Sequence, residues 1–374
     1  MSRIGSNSGD SSLPAVVQND NAFKFRHSQI VVYESLNLIS AIIFFMILVT
    51  GATGFIGRAL VRQLSEIGYP LRALIRPSPR TPRLPVGVPV EVAVVSLADV
   101  RGLRAALRDV NTIFHLASAE SQGSQGSLLV TDIQGTENLV SAAADAGIQR
   151  FFYLSHIGAE RASGYPIFRA KGLAEEHIRH SRVPYTILRA SLVYGPEDRF
   201  TTSLARLLRA SPGFFPIPSG GRTVVQPVWV EDLVTCMVWA LENPQTINQT
   251  LEVGGNEYFT FQQIIEIIMR VTHTRRYLFT LAPTTLRALT VFLNSFVQNL
   301  PISSFWVDYF AVNRTCPVDS MPRIFGLMPA RFTYRLDYLI RKAWHERMRS
   351  RFTAMTKGLS ERVQESLRAL RTPR

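Results

Sequence analysis

Residues 46–50, Met-Ile-Leu-Val-Thr, form a short apolar run that reads as a buried strand. Gly51-Ala52-Thr53-Gly54-Phe55-Ile56-Gly57 follows directly, and then Arg58-Ala-Leu-Val-Arg-Gln-Leu-Ser-Glu-Ile in helical periodicity, stopped by Gly68. Few folds accept a strand, a glycine-rich turn and a helix within twenty residues. A tight turn requires Gly51, close approach of a pyrophosphate to the backbone requires Gly54, and packing of the helix on the strand requires Gly57. The helix start would face the phosphates with unsatisfied N–H groups. The spacing is GxxGxxG rather than GxGxxG, so the context matters: strand before, helix after, and a second strand at Leu71–Ile75. The alternative is a structural turn without a ligand.

Apolar and helical periodicities then alternate. Strands are expected at 90–95, 112–116, 151–155 and 185–188, with helices at 98–108, 132–146 and 168–180. This βαβ series predicts an α/β Rossmann fold, a doubly wound parallel sheet with right-handed crossovers, carrying a smaller C-terminal α/β lobe. The second strand ends in Leu74-Ile75-Arg76-Pro77, where selection of NAD would place a carboxylate against the ribose 2′-hydroxyl. Arg76 instead offers planar donors to a 2′-phosphate, which favours NADP(H) over NAD(H); the alternative is a solvated loop arginine beside Arg80 and Arg83.

Composition narrows the class. With 374 residues, 46 % of them hydrophobic and 18 % charged, the chain is neither disordered nor fibrous. Cys236 and Cys316 are too few for a disulfide framework or a zinc site; both thiols are expected free, and no metal is expected. The net charge of +13 is concentrated at one end, because residues 341–374 hold ten Lys or Arg against Glu346, Glu361 and Glu365. No nucleic-acid-binding signature accompanies that charge. Phe352, Met355, Leu359, Val363 and Leu367 recur at helical steps there, which predicts a basic amphipathic tail. Residues 1–45 read as a disordered or spurious extension, with Met46 an alternative start. The remaining divisions are 46–275, a dinucleotide-binding domain with substrate-lobe insertions, and 276–340, an apolar C-terminal lobe. Between Leu278 and Phe310 the only charges are Arg287 and Asp308, so this stretch is a greasy lid, a membrane or partner surface, or ordinary core.

Several further motifs carry a family resemblance: TGATGFIG (50–57), HLAS (115–118), GTENLV (135–140), YLSHIGA (153–159), AKGLAEE (170–176), PYTILRASLVYGP (184–196), QPVWVEDL (226–233) and LEVGGNEYFTFQQII (251–265). Together they resemble the short-chain dehydrogenase/reductase superfamily, in its atypical branch that includes NmrA-like proteins and the nucleotide-binding accessory subunit of respiratory complex I. The resemblance implies a nicotinamide dinucleotide site lined by Gly51, Thr53, Gly54, Phe55, Ile56, Gly57, Arg76, Leu116, Ala117 and Lys171. It also implies hydride transfer with a Tyr as acid or base, a Lys four residues later and a substrate-orienting Ser. Lys171 and Ser155 match the last two, but Ile167 stands where the Tyr belongs and has no proton to give. Tyr165, six residues before Lys171, would lie about 240° round the helix and should not fill the role. His156, at the end of a central strand, is the remaining titratable candidate, and the alternative for it is a structural histidine.

Lys171 is the only lysine between Lys24 and Lys342, in a stretch where every other basic position is Arg. A site that wants a compact ammonium is one reading, and chance placement on a solvated face is the other. Two functions therefore follow. One is an NAD(P)H-binding accessory or assembly subunit of a membrane-bound respiratory or photosynthetic complex, with classical catalysis lost. The other is an NADPH-dependent reductase of an apolar substrate such as a quinone, isoprenoid or pigment precursor. The expected location is cytoplasmic, peripheral on a membrane surface or membrane protein complex, with no nucleic-acid partner.

Overall fold

The computed structural model describes residues 46–78, 84–120, 126–296 and 304–340. The N-terminal extension and the basic tail expected from the sequence lie outside the described residues. In chain order the first elements are β1 (Met46–Thr50), α1 (Phe55–Ile67), β2 (Leu71–Ile75), β3 (Glu91–Val94), α2 (Val100–Ala106), β4 (Val110–His115), α3 (Gly135–Asp145), β5 (Arg150–His156), α4 (Pro166–His180) and β6 (Tyr185–Ala190). Then come β7 (Val193–Tyr194), α5 (Thr201–Ala210), β8 (Phe214–Pro218), β9 (Val224–Val225), β10 (Val228–Trp229), α6 (Val230–Glu242), β11 (Gln249–Val253), β12 (Phe259–Thr260), α7 (Phe261–Val271), β13 (Tyr277–Leu281), α8 (Pro283–Phe296), α9 (Ser304–Tyr309) and α10 (Ser320–Phe325).

Seven strands form one sheet in the order β11-β6-β5-β4-β1-β2-β3, and every neighbouring pair is parallel. Strand order therefore reverses at β1, with β2 on one side and β4 on the other, and a doubly wound sheet opens its ligand crevice at the carboxyl end of that strand. Both faces are apolar because both are covered. Ile47 and Val49 belong to the core beneath α1 and α6, while Leu48 belongs to the core beneath α2, α3 and α4. That two-sided burial explains the unbroken apolar run of β1.

Local signals set the helix ends. Gly68 closes α1 in a left-handed conformation, its N–H bonding back to Leu64 and Ser65 carbonyls. Pro166 opens α4, and Thr260 with Gln263 makes a reciprocal capping box on α7. The helix expected at 132–146 begins instead as a π-helical turn, Leu129–Gln134, that runs into α3. This wider turn carries Asp132, which is fully buried and accepts the Ala119 N–H at 2.9 Å.

A third core, with Phe168, Tyr194, Phe200, Ile217, Ile264, Tyr309 and Phe332 among its members, lies beyond the strand ends. It is assembled from α4, the inserted segments after β6, α7 and the described residues between 306 and 339. The greasy stretch from Leu278 to Phe310 thus splits: Tyr309 and Phe310 are buried, whereas Phe279, Leu289 and Phe292 are exposed. Cys236 and Cys316 are both free and buried. Among the described residues no helix is long and apolar enough to cross a membrane.

Candidate dinucleotide site

At the carboxyl end of β1 the chain turns through Gly51, whose φ of 70° is a left-handed conformation. A Cβ there would meet the Ala117 nitrogen and the Leu116 carbonyl group at 2.8 Å, so the turn and the end of β4 pack backbone to backbone. At Gly57 a Cβ would collide with the Gly51 carbonyl oxygen, so the first turn of α1 rests directly on the glycine turn. Gly54 differs from both. It is exposed, its φ of −75° suits any residue, and it caps α1 without any side-chain hydrogen bond. No acidic residue stands in the first turn of α1. The helix start therefore presents N–H groups and a positive dipole end to an open cradle, which fits an anionic pyrophosphate. Thr53, Phe55 and Ile56 are half-buried around it, and Phe55 packs against Gly195, just after β7.

A buried relay fixes the neighbouring loop. Thr136 donates its hydroxyl to the Asp132 carbonyl at 2.6 Å, so it accepts from His115 Nε2 at 2.9 Å. His115 Nδ1 then accepts the Thr50 hydroxyl at 2.6 Å, and Thr50 Oγ1 in turn accepts the Leu116 and Ala117 N–H groups. This order of donors requires a neutral imidazole. Burial, reinforced by the nearby Lys171, lowers the His115 pKa to about 3. Leu116 and Ala117 are thereby pinned against Gly51, while Arg76 is exposed just beyond the end of β2.

The other end of the crevice, at β5, is chemically different from what the residue pattern leads one to expect. Ser155 is buried and donates its only hydroxyl proton to Glu175 Oε1 at 2.6 Å. Glu175 also receives Arg189 through both oxygens and Arg179 through Oε2. The serine is therefore an anchor between β5 and α4. Lys171 does not project freely into the crevice. It is 3 % exposed, donates to the Leu154 carbonyl at 3.2 Å, lies 3.4 Å from Asp132 Oδ1, and sits 5.0 Å from the centre of the Tyr153 ring. Burial opposes its charge, but Tyr153, Asp132 and Glu120 outweigh that and hold the ammonium above the ordinary lysine range. Ile167 is buried in the third core, and Tyr165 packs edge-on against Phe168.

His156 stays at the strand end. Its Nε2 meets Glu120 Oε2 at 2.7 Å, and Phe168 and Tyr309 stand edge-on to its ring. Burial would raise the Glu120 carboxyl, but His156 outweighs it, and with Lys171 and Arg199 brings the group down to about 2. Arg314 crosses the same region. Its guanidinium lies 3.3 Å from the centre of the Phe168 ring and donates to the Ile157 carbonyl at 3.1 Å. Sequence reasoning missed Glu120, Asp132, Glu175, Tyr309 and Arg314. Only Glu175 had a visible signal, as part of the AKGLAEE motif; Tyr309 and Arg314 reach the site from a distant segment.

The sequence pattern of the NmrA-like family matches residues 45–317. The chain belongs to that family. Among curated proteins, this NmrA-like chain is 31 % identical over 229 residues to NADH dehydrogenase [ubiquinone] 1 alpha subcomplex subunit 9, mitochondrial, of Arabidopsis thaliana, covering 59 % of this chain and 56 % of that protein. It is 30 % identical over 201 residues to a ceramide reductase of Caulobacter vibrioides, covering 53 % of this chain and 62 % of that one. The chain thus spans less than two thirds of the length of these relatives. Its fold is similar to that of UDP-glucuronic acid 4-epimerase from Bacillus cereus, solved with UDP-glucuronic acid and NAD, with a TM-score of 0.60 at 19 % identity over 79 % of this chain and 99 % of the other.

Proposed function

We propose that this NmrA-like protein binds a nicotinamide dinucleotide without classical tyrosine-dependent catalysis and serves as an accessory subunit of a membrane-bound respiratory-type complex. The observation that carries this reading is the contrast between the two ends of one crevice. The glycine turn keeps an open, uncapped helix start. At β5, by contrast, the serine proton goes to Glu175, the lysine sits against Asp132, and an isoleucine stands where the acid belongs. Such a site holds phosphates and withholds the proton step. Gly51, Gly54 and Gly57, with Thr53, Phe55, Ile56, Leu116 and Ala117, form the pyrophosphate side, and Arg76 takes a 2′-phosphate, giving NADP(H) preference over NAD(H). Lys171 and Ser155 organise β5 against α4 and the π-helical turn rather than touching substrate. The likeness to a plant subunit named for an NADH dehydrogenase [ubiquinone] complex supports the assembly half of the reading.

One observation favours a reductase instead. His156, held by Glu120 at the strand end, is a titratable group at the crevice, and double-bond reduction asks less of a proton donor than carbonyl reduction does. Titration of the purified protein with NADPH, followed by oxidation assays with quinones and enones, separates the two. Tight NADPH binding with no turnover is expected. Sustained turnover that is lost in His156→Gln would replace the accessory reading with the reductase, and absence of any dinucleotide binding would remove both.

A further inference from the structure

The lobe beyond the strand ends carries a face that the dinucleotide site does not use. Strands β8 and β13 form a two-stranded parallel ribbon, with Tyr277 in register with Phe214. The ribbon's inner side, Phe215 and Ile217, is buried in the third core, with Leu278 packed against it. Its outer side presents Phe214, Tyr277 and Phe279, which are 62 %, 69 % and 38 % exposed, and the first two rings stand edge-on with centres 6.0 Å apart. A water-facing ribbon normally shows polar residues on that side.

Basic residues outnumber acidic ones in the segments that build this part of the lobe, although Glu266 stands one turn before Arg270 and Asp308 pairs with Arg287. No Asp or Glu occurs in residues 199–230 or 267–307, whereas the two segments hold eight arginines, Arg206, Arg270 and Arg275 among them. These three are exposed and make no ion pair among the described residues. Arg276 ties the ribbon to the end of α5, donating to Ser211 Oγ and to the Arg209 carbonyl, which brings the last turn of α5, one turn beyond Arg206, beside the ribbon.

We infer that the outer face of the β8–β13 ribbon, rimmed by Arg206, Arg270 and Arg275, docks on an anionic lipid bilayer surface. Aromatic rings favour the headgroup level, and arginines there meet lipid phosphates. A purely hydrophobic protein partner would leave those guanidinium groups uncompensated, whereas an anionic bilayer satisfies both halves of the surface. The inference is independent of the dinucleotide reading, since none of these residues touches the glycine turn.

The test is co-sedimentation of the full chain with phosphatidylcholine vesicles, with and without phosphatidylglycerol. The wild type should bind only the anionic vesicles. Arg206→Gln with Arg275→Gln should weaken that binding on the order of thirtyfold at low salt, at about fivefold per arginine. Phe214→Ser with Tyr277→Ser should weaken it by at least about tenfold. NADPH affinity and melting temperature should be unchanged in both. Three results would overturn the inference: no binding by the wild type, equal binding to neutral vesicles, or wild-type binding by both variants.

Discussion

Gly54→Val tests the phosphate cradle most directly, because the structure separates its consequences from those of its neighbours. The φ of −75° and ψ of 172° at Gly54 are open to any residue, and a Cβ would lie 3.1 Å from the Gly51 carbonyl oxygen, a contact relieved by a shift of a few tenths of an ångström. The fold should lose no more than about 1 kcal/mol. Binding should suffer far more, since the branched side chain occupies the space in front of the first-turn N–H groups. Each hydrogen bond to a charged group contributes about 1.5–3 kcal/mol, so losing two costs about 3–6 kcal/mol, roughly a hundred- to ten-thousandfold in Kd for NADPH. Gly57→Ala supplies the contrast. Its Cβ collides with the Gly51 carbonyl oxygen, and displacing α1 should cost several kcal/mol and lower the melting temperature. Calorimetric titration with NADPH beside thermal unfolding reads both quantities. Wild-type NADPH affinity in Gly54→Val would refute the cradle, and a melting temperature as low as that of Gly57→Ala would refute the claim that a side chain at Gly54 needs only a small shift.

Other outcomes follow from the same geometry. Arg76→Asp should weaken NADPH binding more than NADH binding, by about tenfold or more, because a contact to the 2′-phosphate becomes repulsion; equal losses would reduce Arg76 to a loop residue. Glu175→Ala leaves Arg189 and Ser155 without their carboxylate and should destabilise the fold by about 3–5 kcal/mol in urea unfolding, and a loss under about 1 kcal/mol would show that the cluster is not stabilising. Acidification acts through His115, whose folded pKa of about 3 lies below its unfolded value of 6.5. The unfolded state then takes up the proton first, so this contribution is complete above pH 6.5 and is lost progressively as pH falls toward 3. By pH 5 the loss amounts to about 2 kcal/mol. Thermal unfolding at pH 7.5 and pH 5 should show a steeper loss for the wild type than for His115→Gln, and parallel losses would place the acid sensitivity elsewhere.

Local sequence determined the parts of this protein that depend on neighbouring residues. The strand–glycine–helix unit, the helix ending near His180 and the order of the central elements were legible because each rests on short-range causes: turn geometry, apolar period and helix-starting residues such as Pro166. The chemistry of the crevice was not legible in the same way. Ser155 and Lys171 match a catalytic pattern by spacing, yet the carboxylates that engage them, Glu175 and Asp132, lie 20 and 39 positions away and meet them only after α4 and the π-helical turn pack on β5. His115 looked like a motif letter until Thr50 and Thr136 closed on it from two other elements. Arg314 joins Phe168 from across 146 positions. Spacing along a chain reports which side chains share a helix face or a strand end; a proton's destination depends on what else is within 3 Å, and in a doubly wound sheet those neighbours are supplied by separate crossovers that only the tertiary structure brings together.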